Sequence, residues 1–207
     1  MNFDSTQLSA LLLFALVSSI TPGPNNTMLL ASGVNFGFLR SLPHMLGISC
    51  GFALLILTVG LGLGALFERV PVLHTVLRYV GAAYLLWLAW KMARAAPPDA
   101  RGDGNARPLG FLGAAAFQWV NPKAWVMAFG AITAYLPDQS VRSVVIVTLV
   151  FALVNLPSVG LWTGCGTMLR SLLQNPVRLR RFNLLMALLL VASLYPMLAA
   201  PVRGAAG

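Results

Sequence analysis

Acidic side chains are scarce: five Asp and Glu stand against fourteen Lys and Arg in 207 residues. Charged residues make up 9% of the chain, whereas a soluble domain carries about 25%. So few charges cannot clothe a globule of this size in water, and a soluble fold is excluded. Histidine and cysteine are also short, two of each. Cys50 and Cys165 lie inside apolar runs with no CxxC spacing and no neighbouring His, so they read as small packing residues. Metal-assisted, paired-carboxylate and Ser–His chemistry all need parts that the chain does not supply. The chain is therefore read as no enzyme, with no cofactor and no metal.

What the chain has in plenty is hydrocarbon. Residues of the apolar and aromatic types make up 58% of it. Six apolar runs are each long enough to cross roughly 30 Å of bilayer: residues 8–31, 42–67, 72–90, 109–136, 143–169 and 182–200. The first is not read as a cleaved signal peptide, because residues 1–7 hold no Lys or Arg and include Asp4. One gap looks like a linker, residues 95–108, rich in Ala, Pro, Gly and Asp. It divides the chain into a first repeat, 1–94, and a second, 109–207.

A formal charge of +9 suggests phosphate binding at first sight. The placement of the bases argues otherwise, because they sit in short gaps between apolar runs and form no basic face. With six crossings, one side carries Arg69, Arg78, Arg142 and Arg203. The other carries Arg40, Lys91, Arg94, Arg101, Arg107, Arg170, Arg178, Arg180 and Arg181. The richer side is expected to be cytoplasmic, with both termini outside and no nucleic-acid partner. Lys123 belongs to no loop.

An offset of about 100 residues brings the halves into register: Thr21-Pro22 with Asn121-Pro122, and Val59-Gly60-Leu61 and Gly64 with Val159-Gly160-Leu161 and Gly164. Arg40-Ser41 follows with Arg142-Ser143 at a slip of two. Three crossings per half is an odd number, so the second half enters the membrane upside down. Inverted repeats of this kind are typical of secondary transporters, whose sites lie between the repeats near the midplane. The expected fold is an all-α integral membrane protein of six transmembrane helices, with the first and fourth broken.

The breaks locate the candidate site. Thr21, Pro22, Gly23, Pro24, Asn25 and Asn26 interrupt the first run. Proline removes backbone donors and glycine permits unusual dihedrals. Backbone freed at that depth must line a cavity or find protein partners. One half-helix is expected to end near Ile20 and the next to start near Pro24, its free N–H groups directed at an anion-friendly pocket. Asn121, Pro122 and Lys123 supply the counterpart, with Gln118 one turn earlier. Lys123 lies roughly 21 Å along its run at 1.5 Å per residue, and a lysine at a helix centre costs on the order of 2.5–3.5 kcal/mol to insert. Asp4, Glu68 and Asp138 fall at helix ends and Asp99 and Asp103 in the linker, which leaves the substrate as a possible partner. Snorkelling, or bonding to freed carbonyls, is the alternative.

Weaker signals remain. Gly47 and Gly51 form a GxxxG, followed by Gly60, Gly62 and Gly64; close helix packing is their expected meaning, and such faces are compatible with a homodimer. Asn155-Leu156-Pro157-Ser158 is read as a break in the fifth helix, contributing either polar groups to the cavity or a simple kink. His44 is a candidate for a proton-linked role.

Ser19-Ile20-Thr21-Pro22-Gly23-Pro24-Asn25, Gly81-Ala82-Ala83-Tyr84-Leu85 and Asn121-Pro122-Lys123 together resemble the lysine/homoserine/threonine exporter (LysE/RhtB) family over nearly the whole chain. The segment from Gly81 to Lys91 and Phe117-Gln118-Trp119-Val120-Asn121 are most similar to its cysteine and O-acetylserine exporter branch. The resemblance implies an inner-membrane exporter of amino acids or small metabolites, driven by the proton gradient. No Asp or Glu lies inside a run, so Lys123 or His44 is left to titrate. An uncoupled channel, or another small-solute or ion exporter of the same superfamily, is the alternative.

Overall fold

The computed structural model describes residues 3–63, 65, 69–70, 72–95, 107–136, 138 and 140–195. Every regular element among them is helical. Helix α1, Ser5–Ile20, starts at Asp4, whose carboxylate accepts from Gln7 N–H at 2.6 Å while the Gln7 side chain accepts from Asp4 N–H. It stops at Thr21, which is extended because Pro22 disfavours helical dihedrals in the residue before it. Helix α2, Pro24–Phe36, begins with Pro24 in its first turn, bends 54° away from α1 and ends at Gly37, whose φ is 83°.

A short 3-10 turn leads into α3, Leu42–Thr58, which widens into a π turn over Val59–Leu63. The remaining helices are α4, Val72–Ala93; α5, Phe111–Gln118; α6, Pro122–Tyr135; α7, Val141–Leu169; and α8, Pro176–Ala192. Ser140 caps α7 and Asn175 caps α8, each accepting backbone N–H groups of the first turn.

Helix α7 packs on α1, α2 and α3, while α3 also packs on α5 and α6, and α4 pairs with α8. Small residues set the closest approaches. A Cβ on Gly33 of α2 would overlap the Thr163 carbonyl of α7, and one on Gly166 would overlap the Leu30 carbonyl. Gly47 and Gly51 lie in the same way against the backbone of Phe111 and Ala115 of α5, as the GxxxG spacing leads one to expect. The largest apolar cluster joins Leu11, Phe52, Ile56, Trp125, Ala128 and Phe151, with Phe151 edge-on to both Phe14 and Phe52. Outward-facing Leu13, Leu153 and Leu188 stay exposed while Asn26, Asn35, Gln118, Asn155 and Asn183 are buried. Polar groups inside and hydrocarbon outside is the arrangement of an integral membrane protein.

Two helical stretches, Leu39–Leu63 and Val141–Leu169, are each long and apolar enough to cross a membrane unbroken, and the bent pair of α1 and α2 makes a third. The other expected crossings differ from this pattern: α4 contains His74, Arg78 and Lys91, α5 and α6 are separated at residues 119–121, and α8 has 17 residues.

Several expectations are corrected. Arg78 sits within α4, not in a loop. The last helix starts at Pro176, before the expected 182, because the Asn175 cap and Pro176 set its first turn upstream of the arginines. Pro157 does not break the fifth helix, which runs unbroken through it. The apparent match of Val59-Gly60-Leu61 with Val159-Gly160-Leu161 joins a π turn to regular α-helix. Glu68, Gly64, Arg203, residues 96–106 of the linker and residues 196–200 of the last run lie outside the described residues.

Candidate functional site

The two breaks meet. Helix α1 ends by freeing carbonyls that a straight helix would have paired with the next turn, and each finds a donor. Asn26 Nδ2 donates to Ser19 O and Thr21 O, both at 2.8 Å. Trp162 Nε1 of α7 donates to Ile20 O at 3.0 Å. Lys123 Nζ donates to Thr21 O at 2.7 Å, to Thr21 Oγ1 at 2.9 Å and, less closely, to Pro22 O at 3.3 Å. An ammonium has three N–H donors, and all three are thereby engaged. The lysine thus has carbonyl partners, which was one of the two readings of the sequence. No carboxylate among the described residues shares the site.

A second bridge runs beside it. Asn25 Nδ2 donates to Gln118 Oε1 at 2.8 Å, and Gln118 Nε2 returns a bond to Asn25 Oδ1 at 3.1 Å and another to Ala114 O. Across the break, Asn121 Oδ1 caps α6 by accepting from Lys123 N–H at 3.1 Å. Helix α2 has no such cap, because Gly23 carries no side chain to provide it. Gly23 is also where the lysine passes: a Cβ there would lie 2.7 Å from Lys123 Cδ.

Between the breaks lies a small cavity. Ser18, Ser19, Gly23, Asn25 and Asn26 line one wall, Asn121, Lys123, Ala124 and Met127 the facing wall, and Phe52 and Asn155 come from α3 and α7. About 20 Å³ of it is open to the centre of a water molecule, room for about one water and not for an amino acid. Ser19 Oγ, in a residue 3% exposed, has no hydrogen-bond partner. Ser49 Oγ donates to Asn155 Oδ1 at 3.1 Å, which turns the Asn155 amide nitrogen loose for another acceptor.

Of the residues expected from sequence, Gly23, Asn25, Asn26, Asn121 and Lys123 line the cavity. Thr21, Pro22, Pro24, Gln118 and Pro122 shape or tether the breaks without lining it. Sequence reasoning had weighed Asn155 without placing it, and had missed Ser18, Ser19, Phe52 and Met127. The serines were legible as neighbours of the first break; Phe52 and Met127 look like any core residue until the helices are packed. His44 stands apart from the cavity, 2% exposed, with neither ring nitrogen bonded.

Helices broken at an internal polar cavity, under a lipid-facing coat, define a membrane transporter of the all-α class. Residues 16–195 match the LysE type translocators, and the chain belongs to that family, one of transporters and not of enzymes. It is 32% identical to the cysteine/O-acetylserine efflux protein of Salmonella choleraesuis (strain SC-B67), over 89% of this chain and 93% of that one. It is also 32% identical to the proteins of that description from Klebsiella pneumoniae subsp. pneumoniae and Escherichia coli (strain K12), over 90% of this chain and 94% of each relative. No solved structure matches the chain.

Proposed function

We propose that the protein exports small zwitterionic amino acids with short, uncharged side chains, such as cysteine or O-acetylserine, across the inner membrane. The observation that carries this reading is the cavity between the two helix breaks, walled by Lys123, four asparagines and a serine hydroxyl without a partner. In this scheme the substrate carboxylate meets Lys123 and the uncapped first turn of α2, where N–H groups and the helix dipole favour an anion. Asn25, Asn26 and Asn121 complete the polar contacts, while Phe52 and Met127 face the side chain.

The scheme adopts six crossings as two inverted repeats, 1–94 and 109–207, joined by a cytoplasmic linker, 95–108, with both termini outside. The exchange of partners supports it: α1 and α2 both lie on α7 as α5 and α6 both lie on α3, and α3 pairs with α7 and α4 with α8. Export is driven by the proton gradient and works by alternating access, with Lys123 or His44 as the proton-carrying group. A cavity too small for substrate supports a carrier over an open channel, because a carrier passes through occluded forms. A homodimer is compatible with the exposed apolar helix faces.

Counterflow in proteoliposomes with a panel of amino acids, at two imposed pH gradients, tests the reading. Cysteine or O-acetylserine should exchange, and net export should follow the gradient. Lys123→Ala should fold and lose export by at least tenfold; unchanged export in a folded variant would remove Lys123 from the mechanism. Gradient-driven export that survives replacement of both Lys123 and His44 would end the proton role of either.

A further inference from the structure

We propose that the carbonyls of Thr21 and Pro22, with the Thr21 hydroxyl, form the subsite for the α-ammonium group of the exported molecule, and that Lys123 is a tethered occupant which the substrate displaces. This rests on the reading of the cavity as an amino-acid site and names the half of the substrate which that reading leaves unplaced.

The walls of the cavity hold neutral donors and neutral acceptors, the acceptors being Asn26 Oδ1 and the Ser18 and Ser19 hydroxyls. Asn121 spends its carbonyl oxygen on Lys123 N–H and Asn155 its own on Ser49, so both present amide N–H groups. The first turn of α2 adds uncapped backbone N–H groups. Donors of this kind suit a carboxylate and repel an ammonium. Three acceptors grouped on one cation are found at the end of α1, where the broken helix exposes carbonyls at its negative pole. In this structure those acceptors hold the Lys123 ammonium at 2.7, 2.9 and 3.3 Å.

A primary ammonium on a substrate offers the same three N–H donors and the same charge. It can therefore replace Lys123 Nζ with no change in the bonds made to Thr21 and Pro22. The displaced side chain, passing over Gly23 with no Cβ in its way, is free to meet the carboxylate of the same substrate. One exchange then satisfies both ends of a zwitterion. A molecule with only a carboxylate leaves Lys123 in place and loses its counter-ion.

The test uses the full-length protein in detergent with methylammonium as the probe. Lys91 and Lys123 are the two lysines of the chain, so ¹⁵N-lysine labelling gives two side-chain signals, and Lys91→Arg assigns them. Methylammonium should move the Lys123 signal saturably and leave Lys91 in place, whereas sodium propionate should move neither. In Lys123→Met, methylammonium should bind at least tenfold more tightly than in the wild type, because a tethered competitor acts at an effective concentration in the millimolar range or above. Equal affinity in the two proteins, or a Lys123 signal indifferent to methylammonium, would overturn the proposal. If Lys123→Met does not fold, the wild-type titration decides alone. Amino-acid counterflow that fails while methylammonium binds as described would sink the export reading and leave the subsite. Counterflow that works while methylammonium ignores Lys123 would sink the subsite alone.

Discussion

At the scale of single residues, the interior holds polar side chains only in bonded sets, with few exceptions. The Asn25–Gln118 amide pair is one such set, with Gln118 fully buried. Gln118→Leu leaves the half-buried Asn25 amide facing an apolar group, and a lost hydrogen bond of this kind costs about 0.5–1.5 kcal/mol. The variant should unfold at lower temperature in detergent, and Asn25→Ala/Gln118→Leu should recover part of the loss. Additive losses in that double variant would count against a direct pair. Asp138 is the acid placed best for measurement, since it lies between α6 and α7. The Ser140 and Ser143 hydroxyls and Ser140 N–H donate to it and hold its carboxyl well below the usual carboxylate range. A depressed carboxyl stabilises the fold above its unfolded pKa and loses that effect as pH falls through the folded value. Asp138→Asn should therefore melt earlier at pH 7, with the gap closing only in strong acid; a gap that closes near pH 6 would refute this.

At the scale of helices, close backbone approach separates glycines that must stay from glycines that need not. Gly33→Ala and Gly51→Ala would drive a Cβ into the backbone of α7 and α5, so both should lower yield and melting temperature. Gly164 lies in the same helix as Gly166 with open space beside it, and Gly164→Ala should be neutral or stabilising by about 0.5–1 kcal/mol. The opposite order in a thermal-shift series would contradict the packing described. Both helix breaks were legible in the sequence because proline, glycine and asparagine stand out sharply inside apolar runs. The start of α8 was not, since a search for hydrocarbon passes over Asn175 and Pro176 to reach Phe182. The π turn was hidden too: Gly60 is pressed between Val144 and Ile132, a fit that exists only once α3, α6 and α7 are assembled. The partner of Lys123 was open for the same reason, because Thr21 lies 102 positions away in the chain.

At the scale of the whole molecule, the two cysteines give a handle on orientation and on chemistry. Cys50 and Cys165 are free and exposed on the outer face of the bundle, away from the cavity. Cys50→Ser/Cys165→Ser should thus match the wild type in any cysteine export that the counterflow assay detects; a loss confined to the variant would mean that thiol exchange takes part. In that background, a cysteine placed in the linker should react with an impermeant maleimide only from the cytoplasmic side, and one at the C-terminus only from outside. The reverse labelling would invert the topology drawn from the arginines. The end of α1 sets a further condition on any motion. Its carbonyls are held by Asn26, Lys123 and Trp162, from three other helices. Sliding α1 past any one of them disturbs the others, so the segment behaves as a latch with shared pins. Its release should be all-or-none, with a large activation enthalpy, and turnover should rise more steeply on warming than diffusion through a pore.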